Sequence, residues 1–207
     1  MFVDPGAPQR DALQEAAKWI RNGGLVALPT DTLYGLAADP FRADAVARVF
    51  TVKGRAAERG LALIAADVAQ IAARLGPLSL TGERLAAKFW PGPLTLLIPA
   101  PVALARGVTG GTGSVGVRVP DHDIARAICH AADRPITATS ANRSGEPATA
   151  DPADVERTLG ESVDLLIDTG PTRGGAPSTI VDLTGSSPWL VRAGAVSWDA
   201  IQACLGG

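Results

Sequence analysis

The chain has 207 residues, 46% of them hydrophobic and 19% charged, enough for one large domain with a buried core. Lys and Arg number 19 against 21 Asp and Glu, a formal charge of -2, which argues against bulk electrostatic binding of nucleic acid but allows a local basic cleft. The N-terminal MFVDPGAPQRDALQEAAKW lacks the layout of a secretory signal, no apolar run approaches the ~20 residues of a membrane helix, and Cys129 and Cys204 have no CxxC neighbour, so the expected setting is the reducing cytoplasm, with no membrane.

From Arg10 to Arg21, the residues Leu13, Ala16, Ala17 and Ile20 recur at helical spacing, and Gly23-Gly24 supplies a stop. LVALP (25–29) reads as a buried strand. Beyond TDTLYGLAADP, taken as a connecting segment, Val46, Val49, Phe50 and Lys53 share a helical face that ends at Gly54, so Lys53 leaves the last turn on the buried side. LALIA (61–65) reads as a strand, and 67–75 and 82–89 as helices closed by Gly76 and by Pro91-Gly92. LTLLIPA (94–100) and SVGVRVP (114–120) are strands around a glycine-rich loop, GVTGG, and DHDIARAICHAA is a helix with Asp121 as its expected cap.

PITATSA (135–141) reads as one strand, and Asp151-Pro152 as a cap followed by proline at the first helical position. DLLID, TIVDL and PWLVRA are late strands, and SWDAIQACL is a closing helix. About six helices interleaved with about eight strands predict an α/β fold with a mixed sheet, and the lack of repeats or linkers predicts a single domain over residues 1–207.

Several familiar motifs fail. GTGSVG (111–116) matches G-x-G-x-x-G, but it leads into a strand instead of opening a helix, so it is not read as a dinucleotide site. There is no G-x-x-x-x-G-K-[ST] and no G-x-S-x-G. His122 and His130 are the only histidines, and no carboxylate or cysteine pattern completes a metal site, so neither a protein-held metal nor a redox cofactor is expected. Asn142-Arg143-Ser144 fits the N-glycosylation pattern, a reading that does not hold in the cytoplasm. A chain so poor in histidine and activated nucleophiles should, as an enzyme, work by holding charged substrates in place.

Four segments place polar or cationic residues just beyond apolar strands: PTDTLYG (29–35), KGRAAERG (53–60), TSANRSG (139–145) and APST (176–179), with Arg118 and Arg192 inside strands. Singly, each has a plainer reading. Lys53, Arg55 and Arg59 can be a solvated helix end, Arg118 and Arg192 salt-bridged strand residues, Ser140 and Asn142 a turn, and Thr30 and Thr32 strand formers. In combination, three or more cations with hydroxyls and an amide suit a polyanion plus a small polar molecule, because arginine forks match phosphate and carboxylate oxygens.

These residues also carry a resemblance. P-T-[DE]-T-x-Y-G-L stands here as Pro29 to Leu36, a Lys-x-Arg pair as Lys53 and Arg55, a Ser-x-Asn pair followed by Ser-Gly as Ser140 and Asn142, and P-S-T-[IV]-[VI]-D as Pro177 to Asp182. In that order, across almost the whole chain, the sequence resembles the YrdC/TsaC-type L-threonylcarbamoyladenylate synthases.

The resemblance implies a YrdC-like twisted mixed sheet with flanking helices around an open, positively charged cavity. It also implies synthesis of threonylcarbamoyl-AMP and pyrophosphate from L-threonine, bicarbonate and ATP, feeding the t6A modification of tRNA. Thr32 and Arg118 would hold threonine with the Ala138 backbone and the Ser178 hydroxyl. Lys53, Arg55 and Arg59 would face the triphosphate and bicarbonate, and Ser114, Ser140, Asn142 and Arg192 the nucleotide phosphates and ribose. Lys53, Arg55, Ser140 and Asn142 are the implied catalytic set. Mg2+ would ride on ATP, held mostly by phosphate and water, and downstream threonylcarbamoyl-transfer proteins and tRNA are implied partners.

The sequence departs from the pattern after Lys-x-Arg, where Pro-x-x-x-Pro-Leu-x-x-His is usual: Ala56, Gly60, Leu61 and Ile64 occupy those positions, so that the leucine is kept while both prolines and the histidine are missing. The segment should be more mobile, without the histidine's contact to threonine. Ala148 stands where a nucleotide-binding serine is common, and the second domain of longer members is expected to be missing. The competing reading is a non-catalytic RNA-binding module using the same cleft, which calls for stacking aromatics where the chain has four Trp, four Phe and one Tyr.

Overall fold

The computed structural model describes residues 1, 3, 10–54 and 60–206. Helix α1 (Arg10–Arg21) turns Ala12, Ala16, Ala17 and Ile20 inward, and these pack beside α6 (Asp123–Ala132), whose Ile124, Ala125, Ile128 and Cys129 face the same core. Helix α2 (Ala43–Lys53) buries Val46, Val49, Phe50 and, as its spacing predicts, Lys53. Gly54 ends it at φ 62, ψ 37, the left-handed conformation that favours glycine. Helices α3 (Val68–Leu75) and α4 (Leu80–Phe89) start on Asp67 and Ser79, whose side chains accept from Gln70 N and Gly82 N. Asp151 does the same for α7 (Pro152–Leu159) through Ala153 N.

Two sheets carry the strands. One has the order β7 (Thr139–Ser140), β2 (Gly35–Ala37), β1 (Val26–Leu28), β8 (Leu165–Leu166). The other runs β10 (Trp189–Arg192), β9 (Thr179–Asp182), β4 (Leu94–Pro99), β5 (Ser114–Arg118), β3 (Leu63–Ile64), β6 (Ile136–Thr137). Both are mixed: β1 pairs parallel with β8 and antiparallel with β2, while β4 pairs parallel with β9 and antiparallel with β5. In β4, Leu94, Leu96 and Ile98 enter the core while Thr95, Leu97 and Pro99 alternate onto the other face, where Thr95 is buried and Leu97 and Pro99 are more exposed. A bulge between Leu190 and Arg192 shifts the β9–β10 register, so that Arg192 sits opposite Ile180.

Four sequence expectations need correcting. The stretch 135–141 is two short strands in different sheets, with Ala138 between them donating to Ala62 O at 2.8 Å. A continuous strand would have kept both pairs in one sheet; at Ala138 the chain instead passes from one sheet to the other. TDTLYGLAADP contains β2, whose short apolar run Gly35–Ala37 pairs with β1. Asp121 does not cap α6: His122 occupies that position with no side-chain cap bond, and Asp121 pairs with Arg173 and Arg126. The loop GVTGG opens inside a one-turn helix, α5 (Arg106–Thr109). The chain closes with α8 (Trp198–Gly206), which packs on α4.

Candidate functional site

Where the sheets splay, an open cavity of about 500 Å3 forms. Its wall takes Thr32 from the β1–β2 loop, Arg118 from the end of β5, Ala138 and Ser140 from the sheet crossing, Ser178 from the approach to β9, and Arg192 from β10. Six sequence-derived site residues from five separate stretches thus converge. Each lies at a strand end or beside one, where the backbone leaves the sheet and side chains can turn into the gap.

Arg118 is nearly buried, 10% exposed at the side chain, and forms an ion pair through Nη1 with Asp31, whose side chain is 4% exposed. Its Nη2 donates to Thr30 Oγ1 at 3.3 Å. Arg192 reaches across from β10 and donates from Nε and Nη2 to the Ser178 carbonyl, at 3.2 and 2.6 Å, and from Nη2 to Ser178 Oγ at 3.2 Å. Ser178 Oγ also pairs with Thr95 Oγ1 at 2.8 Å. Although Arg192 is exposed overall, partial burial of its guanidinium, and then the charge of Arg118, lower its pKa. The cavity thus presents two guanidinium groups, Arg192 on Ser178 and Arg118 beside Asp31 and Thr30, an arrangement suited to two anionic groups.

Gly194 makes this close approach feasible. A Cβ there would lie 2.6 Å from both Ser178 C and Thr179 N, so only glycine lets the chain after β10 press against the Ser178 backbone. Tyr34 fixes the opposite rim. Its hydroxyl donates to Gly170 O at 2.8 Å, its amide donates to Thr149 O and its carbonyl accepts from Ala141 N; burial raises its pKa.

Lys53 and Asn142 stand behind the cavity wall. Lys53 Nζ donates to Ser140 O at 2.6 Å, Asn142 O at 3.0 Å and Asn142 Oδ1 at 3.1 Å. Ser140 Oγ donates to Asn142 Oδ1 at 2.5 Å, and Asn142 Nδ2 to Glu146 O at 2.6 Å. The ammonium therefore organises the turn that presents Ser140. Ser114 lies farther along the same face, lining hollows of about 350 and 290 Å3, the latter sharing Gly60, Ala62, Thr95 and Ile180 with the main cavity. Arg55, Arg59 and Ala56 lie outside the described residues.

Three of the departures, Gly60, Ile64 and Ala148, line the cavity. Ile64, where a histidine is usual, lines it and is otherwise 1% exposed, presenting hydrocarbon in place of an imidazole. Ala148 lines it as well, a methyl where a hydroxyl is common. Two polar residues of the site have no place among the sequence-derived site residues: Thr95 on the cavity wall and Asp31 behind it, paired with Arg118. Thr95 is the lone hydroxyl in the apolar LTLLIP and Asp31 the lone acid after LVALPT, signals that a search for polar breaks in strand patterns would have caught. Among the described residues, no group of three or more His, Cys, Asp or Glu is placed to hold a metal ion.

Fold and site together define a mixed α/β protein whose two twisted sheets enclose an arginine-bearing cleft. The family model Sua5_yciO_yrdC, described as telomere recombination, matches residues 18–194, and the chain belongs to this family. It is 40% identical over 191 residues to the threonylcarbamoyl-AMP synthase of Pyrococcus abyssi, covering 92% of this chain and 56% of that one. It is 36% identical over 195 residues to the enzyme of the same name from Bacillus subtilis, covering 94% and 56%. The chain thus spans a little over half the length of these relatives. The crystal structure of P. abyssi Sua5 complexed with L-threonine superposes with a TM-score of 0.94 at 38% identity, over 100% of this chain and 60% of that one. No helix among the described residues is long and apolar enough to cross a membrane.

Proposed function

We propose that the chain is a threonylcarbamoyl-AMP synthase domain that takes L-threonine, bicarbonate and ATP. The observation that carries this reading is that Arg118, held by Asp31 and Thr30, and Arg192, held on Ser178, line one cleft. The likeness to a relative crystallised with L-threonine supports it. Arg118, with Thr32, the Ala138 backbone and Ser178, takes the amino acid by its carboxylate. Arg192, Ser140 and Ser114 take the nucleotide, with Arg55 and Arg59 facing the triphosphate. Lys53 and Asn142, which hold the Ser140 turn, act on the phosphates from behind it.

The threonine amine, as the free base, captures bicarbonate with loss of water, or CO2 with loss of a proton to solvent, as a carbamate. A carbamate oxygen then attacks the α-phosphorus, the α–β bridge bond breaks, and pyrophosphate leaves with the bonding electrons. Such nucleotidyl transfer needs alignment and offset of charge more than acid or base groups, in keeping with a cavity wall that holds cations and hydroxyls but no histidine. Magnesium enters with ATP as part of the substrate. The product is destined for tRNA t6A modification, and the setting is the cytoplasm. An RNA-binding module is not favoured: among the described residues, the cavity wall carries Tyr34 as its one aromatic residue, engaged with Gly170, where stacking on bases needs exposed aromatic faces.

Pyrophosphate release from ATP should require both L-threonine and bicarbonate. Arg118→Ala should raise the KM for threonine at least about tenfold, the loss of a charge-assisted pair. Release independent of threonine, or an unaltered KM, would overturn the assignment.

A further inference from the structure

We propose that Asp31 determines which anion each arginine of the cavity accepts, reserving Arg118 for a zwitterionic amino acid's carboxylate and leaving polyanions to Arg192. The inference rests on the amino-acid and nucleotide reading above, and adds a specificity-determining residue to it.

The two guanidinium groups are close enough for the charge of Arg118 to lower the pKa of Arg192, yet their surroundings differ. Arg118 is ion-paired to the nearly buried Asp31. Arg192 forms no ion pair among the described residues, and its hydrogen bonds there go to the neutral carbonyl and hydroxyl of Ser178. One anion site is thus already neutralised and the other is not.

The negative charge of Asp31 is committed to Arg118. Its second oxygen has no hydrogen-bond partner among the described residues and borders a hollow of about 300 Å3 behind the cavity wall. The imidazole of His122 lines the same hollow, with Nδ1 equally unpartnered. Burial lowers the pKa of His122 against the opposing pull of Asp31 and Asp123, so the ring is neutral near pH 7 and draws no charge from Asp31. The neighbouring cations are engaged elsewhere, Arg173 with Asp121 and Arg126 with Asp123.

A ligand reaching Arg118 therefore meets a cation and an anion together. Coulomb energy scales with the ligand's charge. For a phosphate dianion both the attraction of Arg118 and the repulsion of Asp31 double, so Asp31 cancels twice as much of the dianion's gain at this site as of a carboxylate's, and the ammonium of a zwitterionic amino acid gains from Asp31 what its carboxylate loses. At Arg192 no such penalty applies.

The test uses Asp31→Asn, which keeps an oxygen for Arg118 and removes the charge, with inorganic phosphate as the probe. L-threonine binding is measured by calorimetry without ATP, with and without phosphate. In the wild type, phosphate should leave threonine binding within twofold; in Asp31→Asn, the same phosphate concentration should weaken it at least tenfold. His122→Gln should behave as the wild type. Asp31→Ser makes the same charge change should Asp31→Asn not fold. Phosphate that competes equally in wild type and Asp31→Asn, or in neither, overturns the proposal. A wild type that binds no threonine refutes the underlying reading instead.

Discussion

Replacing Lys53 by methionine separates two roles that one residue can play. The side chain is 2% exposed, and its Nζ meets three oxygens within 3.1 Å, from Ser140 and Asn142. Methionine keeps most of the packing volume but leaves those acceptors without their donor. A hydrogen bond from a charged donor contributes about 1.5–3 kcal/mol net, and the three share one donor and do not add in full, so a loss of roughly 3–5 kcal/mol is expected. For a domain of this size 1 kcal/mol moves Tm by about 2–4 °C, which places the Lys53→Met melt roughly 6–20 °C below wild type. Thermal unfolding followed by circular dichroism reads the first quantity and pyrophosphate release the second. Activity should fall with the order of the Ser140 turn. A variant that melts within about 2 °C of wild type while losing all activity would refute the turn-holding role and leave Lys53 acting on substrate alone.

Gly194→Ala should destabilise the protein by about 1–3 kcal/mol through overpacking against the Ser178 backbone, and should raise the KM for threonine; a KM within twofold of wild type would count against Ser178 as a contact. The lowered pKa of His122 means that the folded chain binds fewer protons there than the unfolded chain, so stability rises with pH through the titration and is lost as pH falls below about 6.5. His122→Gln should therefore lose less stability than wild type in urea denaturation between about pH 7 and about pH 5, and parallel losses would show that His122 does not contribute.

Much of the fold was legible because its segments carry strong local signals. The inward Ala16, Ala17 and Ile20 of α1 and the cap at Asp151 depend on near neighbours. What escaped depends on distant partners. The change of sheet at Ala138 is set by Ala62 and by the ends of β2 and β3, far away in sequence, and PITATSA reads equally well as one strand. Asp121 resembles a cap by position, but Arg173, 52 residues on, competes for it. In the site, the strand arginines stood out because charge is costly in apolar runs. That Lys53 is buried followed from its helical face, whereas its partners Ser140 and Asn142, 87 and 89 residues away, could not be read from spacing.

The central claim, that the cleft joins threonine, bicarbonate and ATP, is tested most directly by the identity of the product. Wild-type protein incubated with L-threonine, ATP, magnesium and isotopically labelled bicarbonate should yield an adenylate that carries the label and the threonine in equal amounts by mass spectrometry. An unlabelled threonyl adenylate, or no adenylate at all, would contradict it.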